Sequence, residues 1–136
     1  MGSTGGTVVV GYVPKPEGRA ALARAVEEAR LRDCSLVVVN SHRGGHDFDR
    51  EAATVVESEV GEVDAELAGS GVDYTVRQLV RGLEPAEDLV QIADEVDAQL
   101  LVIGLRRRSP VGKLILGSNA QRVLLDAPCP VLAVKA

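Results

Sequence analysis

Five short apolar runs alternate with four stretches of helical period, and this alternation constrains the fold more than any other feature of the chain. Residues 7–10 (Thr-Val-Val-Val) are β-branched and bounded by glycines, which predicts a buried strand. After a loop at 14–18, Leu22, Ala25, Val26 and Ala29 recur at i, i+3, i+4 and i+7, one apolar face of a helix. A second buried run covers 36–39. Val56, Val60, Val63 and Leu67 then mark a helix that stops at Gly69-Ser70-Gly71. Residues 72–80 alternate, with Val72, Tyr74, Val76 and Gln78 on one side, as in an edge strand with one wet face. Glu84-Pro85 opens a third helix with Leu89, Ile92, Ala93 and Val96 as its stripe. Residues 100–103 form a fourth run ending at Gly104, a loop leads to about Gly112, a last helix covers about 117–126, and 131–134 make a fifth run. A helix between each pair of successive strands implies an α/β fold: a parallel sheet with right-handed crossovers and helices on both faces.

Composition agrees with one domain of 136 residues, read as a flexible segment at 1–6 and a single domain at 7–136. With 46% hydrophobic and 26% charged residues the chain is globular, and no apolar run approaches the ~20 residues that span a bilayer. There is no signal-peptide pattern, and Gly6 stands where a myristoylation pattern wants Ser or Thr. A cytoplasmic protein is expected. Cys34 and Cys129 each flank an apolar run and read as buried small hydrophobes in a reducing compartment. Tyr12, Phe48 and Tyr74 are the whole aromatic set, too few for stacking on single-stranded nucleic acid. The net charge is −5, yet residues 104–136 carry Arg106, Arg107, Arg108, Lys113, Arg122 and Lys135 against Asp126 alone. An acidic body opposes wrapping a phosphate backbone, whereas the basic stretch suits a small anion or an acidic partner.

In a doubly wound sheet ligands sit beyond the carboxyl ends of the strands, which directs attention to the loop from Gly104 to Lys113. Gly104 would let a ligand approach the backbone closely. Gly117-Ser118-Asn119 opens a helix whose free N–H groups favour an anion, with Ser118 either donating to phosphate or capping the helix. The bland alternative makes both glycines turn residues and the arginines a solvated loop. A Walker A loop is excluded, because Gly112-Lys113 is followed by Leu114 and Arg107 stands at the first-glycine position. The first strand–helix turn, Gly11-Tyr12-Val13-Pro14, lacks the dinucleotide fingerprint. His42 and His46 with Asp47 and Asp49 read as solvated surface, since Gly44-Gly45 separates the histidines. Neither a metal nor a catalytic residue is expected: no motif sets a base beside Ser109 or Ser118. Glu57, Glu59, Glu62, Asp64 and Glu66 line the polar side of the second helix.

Residues 104–134 carry a resemblance. Gly117-Ser118, the helix after it, and Ala127-Pro128-Cys129-Pro130-Val131 in combination resemble the C-terminal segment of the universal stress protein family, and the strand–helix order matches across essentially the whole chain. The resemblance implies an open five-stranded sheet ordered 3-2-1-4-5 with two helices on each face. It also implies a homodimer through the fifth strand (Val131, Leu132, Ala133, Val134), a role in stress tolerance, and in one branch ATP or AMP held between strands one and four. That branch has Gly-x-x-Gly, nine residues, then Gly-Ser or Gly-Thr. Gly104, Gly117 and Ser118 match it, and Arg107 replaces the middle glycine. Val13 stands where the branch has an Asp at the end of strand one, and Asn40-Ser41 where an apolar residue lies near the adenine. The expected nucleotide site is therefore Gly104, Arg107, Gly117, Ser118, Asn119, Val13 and Ser41, in a stress-response regulatory protein rather than an enzyme. ATP or AMP would be its ligand, and no cofactor is required. The alternative is a nucleotide-free dimeric module of the same fold acting through protein partners.

Overall fold

The structure is a computed structural model that describes residues 6–13, 15–42, 60–80, 84–105 and 117–136. The elements are β1 (Thr7–Gly11), α1 (Pro16–Arg32), β2 (Ser35–His42), α2 (60–67), β3 (Tyr74–Val80), α3 (Pro85–Glu95), β4 (Leu100–Leu105), α4 (Ser118–Asp126) and β5 (Val131–Lys135). All five strands are parallel in the order β3-β2-β1-β4-β5, as the family resemblance implied. Central β1 therefore pairs with β2 on one side and β4 on the other, with Val9 opposite both Val37 and Leu101.

Two apolar layers explain the strand composition. Val8, Val10, Leu36, Val38 and Val102 pack against Ala21, Leu22, Ala25 and Ala29 of α1 and Val63 and Leu67 of α2. Val9, Val39, Leu101 and Ile103 face Ala86, Leu89, Ile92 and Ala93 of α3 and Val123 of α4. A strand covered on both sides needs no polar alternation, so Val8, Val9 and Val10 are all fully buried. Each such side chain contributes roughly 1.5–3 kcal/mol through removal from water. Helix α1 stops where Asp33 takes a left-handed conformation (φ 53°) and its N–H reaches the Ala29 and Arg30 carbonyls. Glu28, buried on the same helix, is held by Arg24 and Arg32, both at 3.3 Å. Arg122 of α4 meets Glu87 of α3 at 3.0 Å and ties the second layer together.

Three boundaries differ from expectation. Strand β2 continues to His42 because β3 runs beside it as far as Val80, so ladder bonds replace the missing apolar signal. Gly104 is inside β4 rather than at its end, since Val134 and Lys135 of β5 pair with Gly104 and Leu105. Strand β3 begins at Tyr74, although Val72 still packs on the first layer. Val56 lies outside the described residues. On β3, Gln78 has both amide atoms buried without a hydrogen-bond partner among the described residues. No helix among the described residues is long and apolar enough to cross a membrane.

Candidate ligand site

At the carboxyl ends of β1 and β4 the chain diverges to opposite faces of the sheet, and a cleft of about 300 Å³ opens there. Val39, Leu89, Ile103 and Val123 form its apolar wall. Three helices start at it: Lys15 and Glu17 belong to the beginning of α1, Pro85 and Ala86 to α3, and Ser118 to Ala120 to α4. None of the three has a side-chain cap; their N-cap residues are Lys15, Glu84 and Gly117. First-turn N–H groups that the N-cap side chain leaves unbonded contribute partial positive charge to the rim. Pro16 and Pro85 suit the first turns of α1 and α3, where an amide hydrogen would be unpaired anyway.

Of the expected site residues, Val13, Gly104, Gly117, Ser118 and Asn119 all line this one cleft. Ser118 is exposed and is the first residue of α4, so the cap position belongs to Gly117 and, of the two alternatives for Ser118, capping is not the one the structure shows. Strand β2 contributes Val39 to the cleft, while Ser41 lies two residues further along, paired with Leu79. Asn40 is 2% exposed, and alternation sets it with Val38 on the α1 and α2 side of the sheet. Arg107, its neighbours Arg106 and Arg108, and Lys113 lie outside the described residues, as do His46, Asp47 and Asp49.

Gly104, which lines the cleft, also has a packing role that its sequence position does not display. A Cβ built there falls on the Glu17 carbonyl, so the missing side chain lets β4 pack directly against the first turn of α1. Gly18 serves the same junction, because a Cβ on it would strike the Val13 carbonyl. These two contacts bring Lys15 and Glu17 to the cleft, where the side chains form no ion pair with a described residue. Neither residue belongs to a motif that the sequence displays. The available signal was that the loop after β1, like the loop after β4, must open at the carboxyl edge of a parallel sheet. Away from the cleft, burial raises the Cys34 thiol pKa; the nearby Arg32 guanidinium opposes that shift and Asp33 adds to it. Burial likewise raises Cys129.

With this geometry in view, comparison with known proteins decides the family. The model of the universal stress protein family matches residues 6–135. The chain belongs to the universal stress protein family. A universal stress protein of Mycolicibacterium smegmatis is 50% identical over 128 residues, covering 94% of this chain and 96% of the relative. The structure of a universal stress protein from Archaeoglobus fulgidus superimposes with a TM-score of 0.83 at 40% identity, over 95% of this chain and 98% of that one. A universal stress protein structure from the same organism, in complex with dAMP, gives 0.78 at 34% identity, over 95% and 97%.

Proposed function

We propose that this universal stress protein family member is a stress-response binding protein whose cleft takes an adenine nucleotide, AMP or ATP. The observation that carries the reading is the convergence of three helix starts without side-chain caps on one apolar-walled cleft of nucleotide scale. The apolar wall suits a purine. The first-turn amides of α4 and Ser118 suit phosphate, and the sequence between β4 and α4 is basic, with Arg106, Arg107, Arg108 and Lys113. The dAMP complex of a relative 34% identical supports the ligand class.

The role we read is binding, since the sequence has no motif that sets a base beside Ser118. Two free cysteines suit a reducing compartment, the cytoplasm. A second copy would cover the outer edge of β5, where Val131, Leu132, Ala133 and Val134 are only partly buried.

Calorimetric titration with AMP and ATP tests the reading. The expected result is micromolar binding of at least one nucleotide to protein stripped of small molecules. Flat titrations with both would overturn it in favour of a nucleotide-free module.

A further inference from the structure

We propose that Glu17 selects the ligand through its sugar, accepting hydrogen bonds from vicinal ribose hydroxyls at the α1 side of the cleft. This deepens the nucleotide reading and rests on it. Glu17 is partly buried, lines the cleft, and has no ion pair with a described residue. Its position is fixed from behind: the Glu17 carbonyl and Cβ stand over Gly104, where no side chain separates α1 from β4. The root of the Glu17 side chain is thereby anchored at the cleft, which limits how far its carboxylate can stray from it.

The chemistry of an acceptor-only group then sorts the parts of a nucleotide. An ionised carboxylate offers two oxygens and no donor, so it repels phosphate and attracts O–H or N–H. Phosphate is thereby directed to the opposite rim, where Gly117, Ser118 and Asn119 present the start of α4. Two donors remain for the Glu17 side. The Watson–Crick edge of adenine places the N1 lone pair beside its amino group, which sets an acceptor against the second carboxylate oxygen. A cis-diol presents two O–H groups side by side, one for each oxygen. Val13, the neighbouring cleft residue from the end of β1, has no side-chain polar group to compete. Glu17 is thus a specificity residue for ribose over deoxygenated sugars.

The test compares AMP with 2′,3′-dideoxy-AMP by calorimetry on the full chain, in the wild type, Glu17→Gln and Glu17→Ala. The wild type should prefer AMP by roughly ten- to a hundred-fold, the range of a charge-assisted hydrogen bond. Glu17→Ala should abolish that preference by weakening AMP alone. Glu17→Gln, which keeps the Cβ against Gly104 and one acceptor oxygen, should retain only a small part of it. Equal affinities of the wild type for the two nucleotides, or equal weakening of both by Glu17→Ala, would overturn the assignment and leave nucleotide binding standing. No binding of either nucleotide to the wild type would overturn both.

Discussion

A Cβ on Gly104 falls on the Glu17 carbonyl, and backbone, unlike a flexible side chain, cannot move aside cheaply. Gly104→Ala should therefore destabilise the protein by about 1–3 kcal/mol in urea unfolding, the usual range for overpacking. Gly61 is the control. It lies in α2 with nothing within 4 Å of where a methyl would sit, so Gly61→Ala should gain up to about 1 kcal/mol from helix propensity. Equal effects at the two positions would refute the packing role of Gly104. Its place in a cleft was legible from the apolar run before it and the Gly-Ser pair after it. Its contact with α1 was not, because the contact joins residues 17 and 104, and no local pattern encodes the approach of two backbones. Lys15 and Glu17 were illegible for the same reason.

Strands and helices were legible where periodicity has one cause. The Val-rich runs of β1, β2 and β4 are buried on both faces, and α1 repeats its small residues at helical spacing, so each announces itself. The ends of β2 and β4 are set by the strands beside them, which is why His42 and Gly104 lie in strands without an apolar signal of their own. Strand β3 shows what its single neighbour leaves unresolved. Gln78 stands opposite Asn40 in register, with both amide atoms buried and without a partner among the described residues. Leaving such groups unpaired costs about 1–3 kcal/mol, whereas an apolar side chain of similar shape carries no such penalty. Gln78→Met should consequently raise stability by about 1 kcal/mol, read as a higher urea midpoint at unchanged slope. A lower midpoint would show that the amide has a partner in solution.

For the whole molecule, the order β3-β2-β1-β4-β5 leaves two edges of unlike character. Arg77 on β3 pairs with Glu95, so that edge carries charge, whereas β5 is apolar from Val131 to Val134 and follows a helix whose Leu125 is 83% exposed. An apolar edge of this kind invites pairing with another chain. Sedimentation equilibrium at micromolar concentration should give about twice the 14.3 kDa chain mass, and Ala133→Lys should return it to the single-chain value. A wild-type monomer would rule out pairing through β5. The strand order itself was legible only through the family resemblance, since alternation alone permits several right-handed windings.

The backbone contacts at Gly18 and Gly104 also divide the cleft mechanically. Where α1 meets the segment after β1 and the floor of β4, backbone lies against backbone with no side chain between, so this junction is closely packed. The opposite wall is built differently: α4 buries only Val123 and leans on α3 through the Arg122–Glu87 pair near the surface. If the cleft takes the proposed nucleotide, the α1 wall would set the fit and adjustment to ligands of different length would fall to α4.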